Sequence, residues 1–337
     1  SSGNIFAMSD FQGNELYQIL LYSIEEEWYR FLTRRDDRIH AISHDSMSPS
    51  EDKICIIANL EEQTRLDIYE LDLATGELKL MMHGPEGSAW LGAGWHKKLN
   101  KIIIRAIFDP DTSGIFVAEN GTLRRILPEA EETVFWYHQQ YGDGFFFTTN
   151  YEREFIALCY YDLTKEKWKI VKETNWDILN VAVGSRYMLY SVNEDSISRL
   201  YLRDLATGKD KEIEIPDGVV SDIKSFGTKD AFVFLFSYYK HPTEVYLLDV
   251  SRGLEPEKIS SMAYSSVPEE YLTRPRIIRY KSFDGREISA IAYIPRREGK
   301  CPVVVSLHGG PEAQSRPWYS PMTQYLVHRG IAVIYPN

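Results

Sequence analysis

The chain has 337 residues, with 38 Lys/Arg against 49 Asp/Glu for a formal net charge of −11, and is 44% hydrophobic. The acidic balance argues against a nucleic-acid partner, because a phosphate backbone would be repelled, and without an apolar run of about 18 residues there is no membrane-spanning helix. The length favours two domains over one, and 22 Tyr among 13% aromatics favour strands over helices.

The N-terminus, Ser1-Ser2-Gly3-Asn4-Ile5-Phe6, has no initiator Met, no basic leader and no long apolar stretch, and runs directly into a strand-like segment. Both ends of the chain are expected to be truncated, and an upstream signal peptide is left open.

A phrase then recurs: an apolar strand, an Asp or Asn, a turn, and a second strand. It is clearest as Ile68-Tyr69-Glu70-Leu71-Asp72-Leu73-Ala74-Thr75-Gly76 and as Leu200-Tyr201-Leu202-Arg203-Asp204-Leu205-Ala206-Thr207-Gly208. The acidic or amide residue falls at Asp72, Asn120, Asp162, Asp204 and Asp249, a period of 42 to 48 residues. A degraded copy lies around Leu20-Leu21-Tyr22-Ser23-Ile24. Period-two apolar spacing makes each copy a hairpin with one face to a core. The Asp caps its own turn and Gly accepts positive φ. Further strands are expected between the copies, at residues 53–58, 101–107, 144–148, 187–191 and 231–237. Several strands per period of 40–50 residues is the signature of a β-propeller. Six to seven blades are expected over residues 1–268, a plain β-sandwich of similar hairpins being the weaker alternative.

The phrase ends near Ile259-Ser260, and Ser265-Ser266-Val267-Pro268 reads as a linker. From Glu269 on, ten Lys/Arg meet six Asp/Glu, so residues 269–337 are net positive and the remainder carries the acidic excess. This second segment reads as a strand at 276–280, a turn with Asp284-Gly285 at its apex, and a returning strand at 287–294. Pro302-Val303-Val304-Val305-Ser306-Leu307 is a continuous apolar run, expected to be a strand buried on both faces. His308-Gly309-Gly310-Pro311 follows it. Ser320 and Pro321 form a helix N-cap and first helical position. Met322, Tyr325 and Leu326 are expected on one helical face, and Gly330 stands at C′. Residues 331–335 form a last apolar strand, so a βαβ unit with a parallel pair is expected.

These motifs together resemble the prolyl oligopeptidase family of serine peptidases, most of all its acylaminoacyl-peptidase and dipeptidyl-aminopeptidase-like branches. The resemblance is carried by Phe283-Asp284-Gly285 with Ile288, Ala290 and Pro295, and by the strand leading into His308-Gly309-Gly310-Pro311. Weaker likenesses are Ser237 with Pro242-Thr243-Glu244-Val245-Tyr246 near the last blade, and Ser9-Asp10 with Gly13-Asn14-Glu15 near the first. The resemblance implies a mainly β fold: a propeller followed by the incomplete start of an α/β-hydrolase domain. It implies Ser-Asp-His acyl-enzyme hydrolysis of short peptides, with the propeller gating access. In that chemistry backbone N–H groups stabilise a tetrahedral oxyanion, and glycines let the backbone approach. By resemblance Gly310 is the candidate oxyanion-hole donor, with Gly309 and His308 shaping the loop. Chain order in this fold, Ser then acid then His, removes His308 as the general base.

No G-x-S-x-G occurs in the 337 residues, so the nucleophile, acid and histidine are all expected after Asn337, and this chain alone should be inactive. A non-catalytic propeller binding module, or an esterase on small acyl esters, is the alternative. No cofactor is expected. The eight His are scattered, with no H-E-x-x-H or C-x-x-C, so no metal is expected either. Gly92-Ala93-Gly94 does not open a helix after a strand and is no dinucleotide loop. Asp109-Pro110-Asp111-Thr112-Ser113-Gly114 lacks the later Glu of a calcium loop and reads as a turn. Glu25-Glu26-Glu27, Glu61-Glu62 and Glu131-Glu132 are, by resemblance, candidates for holding a substrate ammonium group, against the plainer reading of solvated loops. Cys55, Cys159 and Cys301 are odd in number and far apart, which fits a reducing, cytoplasmic setting. Short peptides are the expected partners, with no nucleic acid and no membrane; a homo-oligomer is left open.

Overall fold

The structure is a computed structural model that describes residues 3–35, 37–119, 121–226, 229–261, 267–310 and 313–337. Asn120 of the repeat, Ser265 and Ser266 of the linker and Pro311 of the His-Gly-Gly-Pro run lie outside the described residues. The chain divides into two compact units, Ser1–Glu173 and Thr174–Asn337.

The first unit holds four antiparallel sheets whose strands follow one another in chain order. The first sheet has three strands, Asn4–Ser9, Gln18–Ser23 and Trp28–Phe31, and the other three have four each. The sheet from Phe135–Tyr141 to Lys167–Lys172 shows why such sequences pair. Its second strand, Gly144–Thr149, is buried throughout. Phe145 and Phe147 point one way and pack with Ile115 and Val117 of the preceding sheet and with Leu127 just after it. Phe146 points the other way onto Tyr160, ring centroids 5.0 Å apart. A strand covered on both faces needs apolar residues on both, and Phe145, Phe146 and Phe147 supply them in succession.

The repeated Asp closes the outer hairpin in four of the described sheets. Asp72 Oδ1 accepts from the amides of Ala74 (3.0 Å) and Thr75 (2.8 Å), and Gly76 follows at φ +74°. Asp162, Asp204 and Asp249 cap their turns in the same way. The expected strands at 53–58, 101–107, 144–148, 187–191 and 231–237 are present, each as the second strand of its sheet. Gly92 and Gly94 lie in the strand Trp90–His96, where a Cβ on Gly94 would stand 2.7 Å from the His44 carbonyl oxygen. Their smallness lets adjacent sheets approach. Asp109 and Thr112 bound the tight hairpin between Lys101–Asp109 and Thr112–Glu119.

The second unit carries two further four-stranded antiparallel sheets, Asp177–Ile213 and Gly218–Lys258, with Leu189, Leu200, Phe232, Phe234 and Phe236 in their shared core. It then changes character. Arg276–Lys281 pairs antiparallel with Glu287–Tyr293 around the Asp284-Gly285 turn, where Gly285 has φ +86°. Glu287–Tyr293 pairs antiparallel with Ala332–Pro336, which pairs parallel with Val303–Val305. The spatial order of these four strands is thus first, second, fourth, third. Helix Pro321–His328 makes the crossover, capped by Ser320 Oγ accepting from the Thr323 amide at 3.2 Å, with Gly330 at φ +83° beyond its end.

Two expectations are corrected here. The run 302–307 is not buried on both faces: Val303, Val304 and Val305 are exposed and Leu307 is 77% exposed. The strand is at the sheet edge, so among the described residues no strand lies beyond it. The helix stripe also differs. Met322 and Tyr325 face solvent, while Thr323, Gln324 and Val327 are buried and Leu326 is partly so. Gln324 turns inward because its amide donates to the carbonyls of Tyr239 and Thr273, and its Oε1 accepts from the Thr273 amide.

Candidate functional site

The parallel pair aims the chain at the candidate loop. Val303, Val304 and Val305 stand opposite Ala332, Val333 and Ile334, and the Ser306 amide still donates to the Ile334 carbonyl at 2.9 Å. Beyond it the chain leaves the sheet, and His308, Gly309 and Gly310 follow at the C-terminal end of the strand. The three residues are consecutive, half-buried or exposed. His308 Nδ1 lies 2.8 Å from the Gly309 carbonyl oxygen, which requires the proton on Nδ1. The two glycines differ. No heavy atom lies within 4 Å of where a Cβ would stand on Gly309. Gly310 has φ +138°, a conformation that side chains disfavour, so the backbone itself asks for glycine there.

The segment after the loop is fastened to a blade hairpin that sequence reading did not single out. The strands Tyr187–Glu194 and Ile197–Asp204 are joined through Asp195 (φ +46°) and Ser196 (φ +77°), a pair of left-handed residues as a two-residue hairpin turn requires. Arg316 donates from Nε to the Ser196 carbonyl (3.1 Å) and from Nη2 to Ser198 Oγ (2.9 Å). Asn337 donates to Ser196 Oγ at 2.9 Å and accepts the Ser315 amide at 2.7 Å. Asn193 donates to Gln314 Oε1 at 2.8 Å, and Arg279 forms an ion pair with Asp195. Burial lowers the Arg316 guanidinium to about 10, and no carboxylate pairs with it among the described residues. The polar run Asn193-Glu194-Asp195-Ser196 announces a turn, but nothing in it tells where the tip lands.

Other candidates resolve as follows. Burial pushes the Cys55 and Cys159 thiols up to about 12, which keeps them protonated and unreactive. Glu61 and Glu62 are tied to Arg65, at 3.4 and 2.6 Å. Glu26 accepts from the Trp28 indole in an exposed hairpin. Glu131 and Glu132 are exposed, and their backbone carbonyls accept from Thr133 Oγ1 and Asn150 Nδ2. All three acidic runs lie in the first unit, and the His308–Gly310 loop lies in the second. Ligand atoms of Glu61, Asp67 and His83 lie within 4.8 Å of one another. The Arg65 guanidinium stands among them, 2.9 Å from Asp67 and 3.0 Å from His83 Nδ1, and offsets part of the cluster's negative charge.

Comparison with known proteins places the fold. The family model described as prolyl oligopeptidase, N-terminal β-propeller domain, matches residues 10–259. No curated protein sequence matches the chain. Among solved structures it is similar to prolyl oligopeptidase B from Galerina marginata, at TM-score 0.82 and 12% identity over 99% of this chain and 51% of that one. It is also similar to a puromycin-hydrolyzing peptidase of Mycobacterium tuberculosis, at 0.78 and 16% over 99% and 57%. The acylaminoacyl peptidase of Pyrococcus horikoshii aligns at 0.72 and 16% over 99% and 56%. The chain therefore spans little more than half the length of these structures, and the likeness reaches through the mixed sheet as well as the blades.

Proposed function

Because this chain belongs to the prolyl oligopeptidase N-terminal β-propeller family, we propose that it supplies the propeller and the opening sheet of a serine peptidase acting on short peptides. The observation that carries the reading is the His308-Gly309-Gly310 loop at the C-terminal end of a parallel strand, in a sheet of spatial order first, second, fourth, third. In α/β-hydrolases a loop after an early strand supplies one backbone donor of the oxyanion hole, and the amide after the nucleophile supplies the other. Gly310 fits the first role because its backbone is in a conformation open to glycine. A donor at that place is worth about 3–4 kcal/mol of transition-state stabilisation when it is removed.

The nucleophile, acid and histidine have no counterpart motif in the 337 residues, so the triad belongs to further sequence of the parent protein. The three free cysteines, two of them buried, support a cytoplasmic setting. The experiment is labelling with a fluorophosphonate probe. The parent protein should label at one equivalent and the chain of residues 1–337 only at background. Stoichiometric labelling of the 337-residue chain, or an unlabelled parent that still hydrolyses peptides, sinks the reading. Size selection is tested on the parent with a dansylated octapeptide against folded ribonuclease: the peptide should be cut and the folded protein left intact.

A further inference from the structure

The register of the mixed sheet places two different features at its two ends. Val305 stands opposite Ile334 and His308 lies beyond it, at the Pro336 end. Arg276 stands opposite Ala292 and Ala292 opposite Ile334, so Arg276 shares the row of Val305, and Arg274, two residues earlier, lies toward the Ala332 end. At this second end the second unit contains a cavity of about 470 Å³, bordered by Arg274, Arg276 and Arg296, with Asp217 and the apolar Ile277 and Ile294 in its wall.

The charge in this wall does not cancel. Asp217 is already shared between two guanidinium groups: Arg274 pairs with one carboxylate oxygen and Arg199 with the other at 3.3 Å. Arg296 donates to the backbone carbonyls of Glu270 (3.0 Å) and Leu272 (3.2 Å), which hold its position and leave its charge uncompensated. Arg276 is exposed and makes no ion pair among the described residues. A net positive hollow thus stands in a chain whose overall charge is −11. Ile294, 42% exposed, adds apolar surface beside it.

We propose that this cavity is an anion-binding site for a small ligand that joins a carboxylate or phosphate to an apolar group. Guanidinium forks bind both anions in the same bidentate way, and the isoleucines cover the ligand's apolar part. The site is separate from the His308–Gly310 loop, so it does not rest on the peptidase reading, and its test measures binding rather than hydrolysis.

Isothermal titration of the 337-residue chain with N-acetyl-leucine, N-acetyl-leucinamide and inorganic phosphate tests it. N-acetyl-leucine is expected to bind saturably near about 1 mM, and the neutral amide at least about tenfold more weakly, the scale of one charge-assisted bond. Arg276→Gln should weaken the acid by about tenfold and leave the amide unchanged. Raising NaCl should weaken the acid alone, a readout that needs no variant. Phosphate binding as tightly as the acid, and likewise lost in Arg276→Gln, assigns the site to phosphate-bearing ligands. No saturable binding of either anion overturns the proposal, as does acid binding that survives Arg276→Gln combined with Arg274→Gln.

Discussion

The blade of residues 135–172 and the mixed sheet of residues 276–336 are both four-stranded, and they are stabilised differently. In the blade, neighbours in sequence are neighbours in space, and the second strand is covered on both faces. In the mixed sheet the order is permuted and the edge strand Val303–Val305 is bare, while Arg316 and Asn337 fasten the segment to the Asp195-Ser196 hairpin tip. Blades draw stability from apolar burial between like sheets. The mixed sheet draws a visible part of its order from polar fastenings.

The comparison breaks most directly in the cores. Phe147→Ala, in the fully buried blade strand, should cost about 3–5 kcal/mol, whereas Val304→Ala at the exposed edge should cost less than about 0.5 kcal/mol. Urea denaturation read by tryptophan fluorescence measures both, and equal losses would remove the distinction. Acid should act next, and on the blades. His40 is buried in the second sheet, 1% exposed, and its Nδ1 has no hydrogen-bond partner among the described residues. Burial lowers its pKa to about 4. The unfolded chain therefore binds a proton that the folded chain refuses. Stability should be flat above about pH 6.5 and fall below it, by up to about 3 kcal/mol near pH 4. His40→Leu should flatten that slope in a pH series of urea melts. Arg316→Ala should be milder, about 1–3 kcal/mol, because two hydrogen bonds to Ser196 and Ser198 are lost. Hydrogen exchange at the Ser315 and Asn337 amides should rise, with partial recovery in Arg316→Lys; exchange unchanged in Arg316→Ala would show that the fastening is idle.

Much of the fold was legible because its determinants are local. A capped turn at Asp72 or Asp204, alternation in the strands, and Ser320-Pro321 at a helix start all act within a few residues. The candidate loop was legible for the same reason: strand, glycines and helix cap follow one another. What escaped was set by distant partners. Val303-Val304-Val305 has the composition of a central strand, and only the sheet order shows it at an edge. Met322, Tyr325 and Leu326 read as one helical face, but the buried side of the helix is set by the carbonyls of Tyr239 and Thr273, which draw Gln324 inward. The meeting of Arg316 with Ser196 spans more than a hundred residues and has no local sign.

The permuted order of the mixed sheet also has a consequence for the time course of assembly. A blade can grow by one edge at a time as the ribosome delivers it, since each new strand finds its template already in place. In the mixed sheet the strand Ala332–Pro336 is synthesised after the other three and must enter between two strands made earlier. Until it arrives, Val303–Val305 has no partner, and an unpaired apolar strand is open to association with other chains. Non-local pairing of this kind is also slower than hairpin closure. Pulse-labelled hydrogen exchange during refolding should therefore find the amides of Val333 and Ile334 protected after those of Leu189 and Tyr190. The interval between the two is the period in which this polypeptide most needs dilution or a chaperone.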